Sequence, residues 1–384
     1  MTIELSPEQK DLQRTVRELV KNKIDPMLDN LPEEPLPTDV LREVLRMLEP
    51  FGVLNARVPE EDGGSGLGYV NLGLIYEQLP PEISMDIASN DMIAMRLCMG
   101  GSDALKQKYL PGLASGELMA GSCISEPGAG SDVTSMATKA VKVDGGYRIT
   151  GQKVWSSHAA VADVVLVAAS VGTDERGRSI VGRFILDTRE TDGYEARDLN
   201  MMGLKRHHLG EVTLDNAFVP DENLCGEPGD GVAALTRSWL GARAMLAIMS
   251  VHLMQRALEA SIEYVKTREQ FGKPIGAFQL VQKAIVEMQT LTDTSRYLAY
   301  RTLKMLDDGE FPRLESSQAK YYATEAAVKV TNMAIELHGA MGLSCELPLE
   351  KWARDARMLW VPDGTGYIQR LMAGREILGL NAIR

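Results

Sequence analysis

The chain has 384 residues, of which 45% are apolar and 24% charged, a balance that fits two or three globular domains. Its formal net charge of −12 argues against nucleic-acid binding, which depends on a basic surface. The four cysteines are widely spaced and form no C-x-x-C motif, so we expect no disulfide framework and a reducing, cytoplasmic compartment. No apolar run is long enough to cross a bilayer, and no export signal is expected.

Residues 1–118 carry the pattern of an all-helical domain. Ser6-Pro7-Glu8-Gln9 predicts a helix start, because Ser6 can cap the helix and Gln9 completes a capping box. Thr38 is expected to cap a second helix. Further helical periodicity runs over three stretches, Tyr69 to Leu79, Asp86 to Met99 and Asp103 to Leu113.

Residues 119–225 differ in character and predict a small β domain. Asp144-Gly145-Gly146 lies between two short runs and is typical of a hairpin turn. The strand candidates are rich in β-branched residues: Ala137 to Val143, Tyr147 to Thr150, Val161 to Ala169, Val181 to Leu186 and Glu211 to Leu214.

Residues 226–384 are helical again, and short connections between long helices predict a bundle. The predicted helices are Trp239 to Arg268, Gln279 to Asp308, Leu314 to His338 and Tyr367 to Ile377. The expected fold class is therefore an α+β multidomain chain, with an N-terminal all-α domain, a middle β domain and a C-terminal four-helix bundle.

The most informative stretch is Gly121 to Asp132, a glycine-rich loop just before the predicted strands. Its glycines let the backbone approach a ligand closely, and Ser125 and Ser131 offer hydroxyl groups. Further along, Trp155-Ser156-Ser157 places a flat aromatic ring beside two more hydroxyls. Taken singly, these are an ordinary surface turn and a core tryptophan, but together they suit a planar cofactor with a polar rim.

This pair of motifs resembles the acyl-CoA dehydrogenase family, whose members carry [ST]-E-P-x-x-G-S-D and W-[IS]-[TS]-x in a flavin-binding middle domain. The resemblance runs over nearly the whole chain. It implies FAD held between the middle and C-terminal domains, an acyl-CoA substrate, and an electron-transfer flavoprotein as acceptor. It also implies a homotetramer, because a neighbouring subunit completes the adenosine end of the site. No G-x-G-x-x-G motif follows a strand, so a Rossmann site is not expected.

The flavin contacts implied by the resemblance are spread along the chain. Thr267 to Gly272 resembles the family's R-x-x-F-G motif, in which the fork of Arg268 suits a pyrophosphate. Leu337 to Gly342 resembles a glycine turn that faces the cofactor of the adjacent subunit. Alone, Arg268 is an exposed helix-end charge and the glycines are a helix cap. The implied contacts are Cys123, Ser125, Trp155, Ser157, Arg268, Phe271, Gln279, His338, Gly339, Gly342, Thr365 and Tyr367.

Asp363 is the leading candidate for the catalytic base. Family members read Y-E-G-T-x-Q where this chain has Trp360 to Tyr367, and their glutamate removes a proton beside the thioester while flavin N5 takes a hydride. An aspartate is one methylene shorter, so its reach falls by about 1.5 Å. A second branch places its base at the position of Ala242, which cannot act as one. The ordinary interpretation of Asp363 is a turn residue before Gly364.

The same resemblance implies that Ser131, Arg243 and Gly364 contact the acyl-CoA. The family usually has an acid three residues before the arginine, where this chain has Leu240. That difference bears on how this chain holds CoA.

Asp91 is a second candidate acid, because it aligns with the family helix that lines the acyl pocket and has apolar neighbours. The alternative is an exposed helix acid or a cap. A shortened base with a second acid resembles the branch that acts on cyclohex-1-ene-1-carboxyl-CoA or cyclohexane-1-carboxyl-CoA. Two acids at different depths could select between 1,2- and 1,4-elimination on such a ring.

Three other functions stay open at this point. One is a dehydrogenase of short or branched acyl-CoAs; another is a lyase-type or flavin-bearing binding protein without dehydrogenation; the third is a purely structural helical protein. No metal is expected, because the histidines show no ligand-like grouping: His158, His207, His208, His252 and His338.

Overall fold

The protein is described by a computed structural model that covers residues 4–382. Its first third is helical, which confirms the predicted helical stretches. The helices are α1 (Pro7–Leu19), α2 (Asp25–Asp29), α3 (Thr38–Leu48), α4 (Tyr69–Tyr76), α5 (Pro81–Gly100) and α6 (Asp103–Ser115).

The two predicted helix caps have different outcomes. Ser6 forms the expected capping box, in which its Oγ accepts from Gln9 N at 3.2 Å and Gln9 Oε1 accepts from Ser6 N at 3.1 Å. The prediction for Thr38 is wrong, because α3 begins at Thr38 itself and no side chain caps it. Pro37 has the extended geometry of a cap and a fixed φ, so Thr38 already lies in the first turn.

The middle part forms a seven-stranded sheet within residues 4–382. Its order is β1-β4-β2-β3-β7-β6, with β5 paired to β4, and the predicted hairpin joins β2 and β3. The strands are β1 (Ala120–Cys123), β2 (Lys139–Val143), β3 (Gly146–Ser157), β4 (Val164–Thr173), β5 (Ser179–Asp187), β6 (Tyr194–Asp198) and β7 (Leu209–Pro220).

The last part is helical, with a small hairpin of β8 (Glu269–Gln270) and β9 (Lys273–Pro274) after its first helix. Within residues 4–382 it has five helices where four were predicted. They are α7 (Gly231–Thr267), α8 (Gln279–Asp307), α9 (Arg313–His338), α10 (Leu349–Leu359) and α11 (Gly366–Leu378).

Besides α2 and the two-residue strands β8 and β9, the predictions omitted three elements, β1, β6 and α10. The first is a four-residue strand of small side chains, and the second is a polar strand at the edge of the sheet, so neither has the usual strand composition. The third has an amphipathic pattern, packs on α9, and buries Leu349, Ala356 and Leu359.

The N-terminal and C-terminal helices share one apolar core, which includes Leu72, Ile248 and Tyr300. The sheet has its own core, around Val167 and Phe184. A further cluster joins α5 and α6 to β1, β4 and β5. Because α5 also packs on α7, this one helix contacts both the sheet and the C-terminal helical part.

Candidate active site

Asp363 lies in the tight connection between α10 and α11, with a left-handed φ of 53° followed by Gly364 at 95°. A non-glycine residue in this conformation needs support from its surroundings. The support comes from two side chains that bond its carbonyl oxygen, Arg243 Nε at 3.0 Å and Gln369 Nε2 at 2.8 Å. Lys320 Nζ bonds the carbonyl oxygens of Trp360 at 2.6 Å and Gly364 at 2.8 Å.

The carboxylate of Asp363 is free of this network. Within residues 4–382, no hydrogen bond or ion pair is made by its oxygens, although the side chain is half-buried. Burial raises its pKa, while the charges of Arg243 and Lys320 act in the opposite direction. A partly dry carboxyl group with free oxygens can take a proton from a ligand.

Lys320 is a buried charged residue beside Asp363 that the sequence interpretation missed. Its side chain is fully buried, and burial lowers its pKa to about 7 against the opposing charge of Asp363. It lies on the buried face of α9 together with Ser316 and Thr324, one turn to either side. A lysine in such a small-residue stripe is the signal that was available in the sequence.

Arg96 connects the elements that meet beside Asp363. It is 1% exposed, and it donates from Nη1 to Ser122 Oγ at 2.7 Å and from Nε to Ser238 Oγ at 3.2 Å. Burial lowers its pKa to about 9, and the charge of Asp363 opposes this shift. Arg96 thus ties α5 to β1 and α7.

Asp91 is buried as predicted, but it has a partner. Arg57 donates from its backbone N to Asp91 Oδ1 at 2.9 Å and from Nε to Oδ2, and both side chains are inaccessible. Both carboxylate oxygens therefore accept hydrogen bonds. The ion pair explains how Asp91 is tolerated in an apolar site, and its role as a second acid stays a prediction.

The glycine-rich loop is anchored by a buried glutamate. Glu126 accepts from the backbone N of Ala137 at 2.5 Å and of Thr138 at 3.0 Å, and from Lys153 Nζ at 2.7 Å. Burial acts to raise the pKa of Glu126, but these bonds outweigh it and the pKa is lowered. The anchored loop leaves Ser125 half-buried and the tip of the loop exposed at Ser131.

Trp155 lies at a bulge of β3, where its φ is 59° and the register with β7 shifts. It is 57% exposed, so one face of the indole is available to a flat ligand. Cys123, in contrast, is 0% exposed in the core of the sheet, and burial raises the pKa of its thiol to about 11. Only the main chain of Cys123 can therefore face a cofactor.

A second group of predicted residues lies at the C-terminal ends of α7 and α9. Arg268, Phe271 and Gln279 are exposed around the β8–β9 hairpin, and Phe271 is 94% accessible. His338 is buried and stacks on Tyr264 with ring centroids 4.2 Å apart.

The turn after His338 requires glycine at two positions. Gly339 has φ 59° and ψ −135°, a conformation that is essentially restricted to glycine. A Cβ atom on Gly342 would lie 2.3 Å from Ile335 O. Gly342 is therefore required by packing against α9, whereas a Cβ atom on Gly339 would meet nothing within 4 Å, so only the main chain at Gly339 is open to another molecule.

The two groups of residues are far apart within one chain. From Arg243 to its end at Thr267, α7 runs about 24 residues, or about 36 Å. The structure thus brings Arg243, Asp363 and Gly364 together at one end, and Arg268 together with His338 at the other. Thr365 caps α11, where its Oγ accepts from Ile368 N at 3.4 Å, and Tyr367 is exposed beside Trp360.

The expectation of no ligand-like histidine group is wrong. Asp86, His158 and His207 are buried, and their potential ligand atoms lie within 4.8 Å of one another. Hydrogen bonds join them: His158 Nε2 meets Asp86 Oδ1 at 3.0 Å, and His207 Nδ1 contacts the same oxygen. The partners are separated by 72 and 121 positions in the chain, so sequence spacing could not show the group.

No helix among residues 4–382 combines the length and apolar character needed to span a membrane.

Comparison with known proteins identifies the family. The models of the acyl-CoA dehydrogenase N-terminal, middle and C-terminal domains match residues 6–117, 121–217 and 229–378. The chain therefore belongs to the acyl-CoA dehydrogenase family, whose members are FAD-dependent oxidoreductases, and the expected three-part fold is confirmed.

Individual relatives do not single out one substrate. The chain is 34% identical over 391 residues to a glutaryl-CoA dehydrogenase of Desulfococcus multivorans, covering 99% of both chains. It is 32% identical over 380 residues to a cyclohex-1-ene-1-carbonyl-CoA dehydrogenase of Geobacter metallireducens, covering 97% of this chain and 99% of the relative.

Solved structures agree with this assignment. A glutaryl-CoA dehydrogenase in complex with glutaryl-CoA superposes with a TM-score of 0.91 at 34% identity, covering 99% of this chain and 97% of that one. An FAD complex of PigA superposes with a TM-score of 0.91 at 27% identity, covering 98% and 99%.

Proposed function

We propose that this chain oxidises an acyl-CoA thioester and that Asp363 is the base that removes the proton next to the thioester carbonyl. The main support for this proposal is that the backbone of Asp363 is held while its side chain is not. Arg243 and Gln369 bond the backbone carbonyl, whereas the carboxylate oxygens have no partner in residues 4–382. A base fixed in place but not engaged loses little by accepting a proton.

The charges around Asp363 favour the same chemistry. Removing the proton places negative charge on the thioester oxygen, and fixed cations in a dry site stabilise such charge. Arg96 and Arg243 are both buried, and Nη1 of Arg243 has no hydrogen-bond partner among the described residues. These two guanidinium groups supply that positive field without an acid bonded to either of them in residues 4–382.

The residues present fit FAD. Trp155 offers an exposed indole, and Ser125 and Ser157 are half-buried hydroxyl residues of the same two sequence motifs. When bound, FAD supplies the acceptor for the hydride that leaves the substrate carbon next to the deprotonated one. Ser157 and Trp155 would hold its ring system, and the Glu126–Lys153 pair joins the glycine-rich loop to β3, the strand that carries both residues.

We assign the other end of FAD to a second subunit in a homotetramer. Arg268, Phe271, Gln279 and the turn at Gly339 lie about 36 Å along α7 from Arg243, so they serve a neighbour's site better than their own. Exposed apolar side chains beside them, Phe271 and Leu280, are suited to a subunit contact. An electron-transfer flavoprotein as acceptor and a cytoplasmic location belong to the same proposal.

A cleft beside α7 suits the anionic nucleotide of CoA. It has a volume of 340 Å³ and reaches Leu240, one helical turn from Arg243. Its walls include Arg237, Arg313 and Arg375. The walls also include Glu376, which lies 3.9 Å from Arg313, so Arg237 and Arg375 are the arginines of this cleft without an acid partner in residues 4–382 and are available to a phosphate.

The acyl group that we propose is alicyclic, such as cyclohex-1-ene-1-carboxyl or cyclohexane-1-carboxyl. Asp363 is shorter than the family's glutamate, which leaves room for a ring, and the relative from Geobacter metallireducens acts on a cyclohexene thioester by its name. Asp91 would be the second acid. Because Arg57 occupies both of its oxygens, Asp91 can take a proton only after that contact changes, so we assign the main step to Asp363.

The experiment that tests this function is an anaerobic spectral titration of the yellow holoenzyme with a panel of CoA thioesters. Cyclohexene- and cyclohexane-carboxyl-CoA are expected to bleach the flavin rapidly, and butyryl-, octanoyl-, isovaleryl- and glutaryl-CoA slowly. Asp363→Asn is the matched variant, since it keeps the backbone contacts and removes the base. If only straight-chain or branched acyl-CoAs bleach the flavin efficiently, the proposal of an alicyclic substrate is wrong. No bleaching by any thioester would exclude dehydrogenation and favour a lyase-type or binding protein.

A further inference from the structure

Three buried side chains from distant parts of the chain converge on one point inside the molecule. Asp86 comes from α5, His158 from the turn after β3, and His207 from the segment just before β7. One potential ligand atom of each residue lies within 4.8 Å of the other two. Two imidazoles and a carboxylate suit zinc and other divalent transition ions, whereas magnesium and calcium take oxygen ligands.

The outer nitrogens of both imidazole rings already have partners. His158 Nδ1 lies 3.0 Å from Ala120 O, and because a carbonyl oxygen only accepts, this nitrogen carries a hydrogen. His207 Nε2 lies 3.1 Å from Ser157 Oγ. Histidine ligands of metal ions are oriented in this way, through the ring nitrogen that does not touch the ion. The inner nitrogens, His158 Nε2 and His207 Nδ1, are the ones that contact the carboxylate.

The contact between His158 and Asp86 is not a hydrogen bond when the ring is neutral. His158 Nε2 lies 3.0 Å from Asp86 Oδ1, and both atoms are acceptors because the ring hydrogen is on Nδ1. A positive centre must therefore lie between them, either a second ring hydrogen or a metal ion.

The other oxygen of the same carboxylate favours the metal ion. Asp86 Oδ2 is buried and has no hydrogen-bond partner in residues 4–382. A second hydrogen on His158 would leave this oxygen unpaired, which is costly for a buried carboxylate. An ion held by both oxygens of Asp86 satisfies the whole group.

The backbone at His158 is held in a strained conformation. Its φ is 57°, a left-handed value that costs free energy in a non-glycine residue. His158 N donates to His208 O at 2.8 Å, and His158 O accepts from Val161 N at 2.9 Å and from Ala162 N at 2.7 Å. These bonds fix the position from which the ring reaches Asp86.

We propose that Asp86, His158 and His207 bind one divalent transition ion, for which zinc is the best match, with both carboxylate oxygens of Asp86 as ligands. Donor atoms around zinc at about 2.0–2.2 Å lie at most about 4.4 Å apart, so the group needs to contract only slightly. Two nitrogens and two oxygens complete a four-coordinate shell, so the ion is structural. It joins α5 to the end of β3 and to the segment before β7, and the inference does not depend on the proposed function.

The first test measures the metal content of FAD-loaded protein that carries no histidine tag. After incubation with zinc chloride and dialysis against metal-free buffer, mass spectrometry should find about one zinc ion per chain. Asp86→Asn, His158→Gln and His207→Gln should each lose the ion. His208→Gln is the matched control and should retain it, since His208 is a buried, adjacent histidine whose two ring nitrogens have other partners.

The second test measures thermal unfolding with zinc and with EDTA. An ion that binds only the folded chain raises the unfolding temperature as its concentration rises. Wild type and His208→Gln should therefore unfold at a higher temperature with zinc, and Asp86→Asn should show no difference. Ser157→Ala removes the partner that orients His207, so its dissociation constant for zinc should rise by about 10–100-fold.

Three results would overturn the inference. They are wild type without a stoichiometric ion after incubation with zinc, manganese, ferrous iron or cobalt, an ion fully retained by Asp86→Asn, and an ion lost in Cys345→Ser, which would place it at that exposed thiol. If Asp86→Asn shows no cooperative unfolding, X-ray absorption of the zinc-loaded wild type decides. It should show nitrogen and oxygen ligands at about 2.0–2.2 Å, and a sulfur ligand at about 2.3 Å would contradict the inference.

Discussion

Asp363 and Asp91 are the two acids that the sequence offered for catalysis, but their surroundings in the folded chain differ in kind. Asp91 has its carboxylate held by Arg57 and its backbone inside a regular helix. Asp363 has its backbone held by Arg243 and Gln369 in a left-handed turn, and its carboxylate is free. In Asp91 the side-chain carboxylate makes the hydrogen bonds, and in Asp363 the backbone carbonyl accepts them.

This contrast shows that burial alone does not identify a catalytic acid. A buried carboxylate whose oxygens accept from a guanidinium group is stabilised where it lies, and losing that partner is costly. A carboxylate with free oxygens on a fixed backbone is ready to accept a proton. A catalytic acid is therefore distinguished from a structural one by whether its carboxylate oxygens already accept hydrogen bonds.

The largest effect is expected for Asp363→Asn. The amide cannot act as a base, so the rate of flavin bleaching by the best thioester should fall about 10³-fold. Stopped-flow absorbance at saturating substrate measures this rate. Asp363→Glu retains a carboxylate and should retain more activity than the asparagine variant. Equal rates for wild type and Asp363→Asn would remove Asp363 from the chemistry.

Asp91→Asn should act mainly on stability. It leaves Arg57 buried without its counter-charge, and the free energy of unfolding should fall by about 3–5 kcal/mol. Urea denaturation with excess FAD measures this change. The control is Glu18→Gln, which breaks an exposed pair with Arg14 and should change the free energy by less than about 1 kcal/mol. If Asp91→Asn greatly slows flavin bleaching but leaves the free energy of unfolding unchanged, the contrast between the two acids is wrong.

Lys320 should make stability depend on pH. Its pKa of about 7 lies below its ordinary value of 10.5, so between these values the unfolded chain binds a proton that the folded chain lacks. The free energy of unfolding should therefore rise with pH, by up to about 1.4 kcal/mol per pH unit. Lys320→Met should lose this increase in urea midpoints compared at about pH 7 and about pH 9. A parallel increase in wild type and variant would exclude the lowered pKa of buried Lys320 as the cause.

The smallest effect is expected on the pH profile of bleaching. Burial raises the pKa of Asp363, so activity should be lost on acidification at a pH above the usual aspartate range. Arg243 opposes this shift, and Arg243→Gln should move the acid limb to higher pH, while Arg243→Lys should move it less. Rates measured across the acid range give the limb, and a shift to lower pH in Arg243→Gln would contradict the assignment.

Much of the fold could be predicted, because local patterns control it. The capping box at Ser6, the hairpin at Gly145 and the long periodic helices depend on residues a few positions apart. Among the elements that were not predicted, β1 and β6 are short strands whose compositions local strand propensity does not favour, whereas α10 has an amphipathic pattern that the sequence did offer. The cap at Thr38 failed because Pro37 took that position.

The candidate site was predicted unevenly. Motif register pointed to Asp363 and Arg243, which the fold places together, and to Trp155, whose indole is exposed. Nothing in the local pattern indicated Arg57 as the partner of Asp91, or Arg96 as the residue that ties α5 to β1 and α7.

By itself, the sequence determined the order of helical and strand regions, the family, and the position of the proposed base, since each depends on residue types at short, ordered spacing. Only the tertiary structure decided how the charges are paired. It joined His207 to Asp86 across 121 positions, and it placed Arg268 about 36 Å along α7 from Arg243. The physical reason is that a buried charge is stabilised by whatever the folded chain brings within hydrogen-bond distance, and distance along the sequence does not measure that.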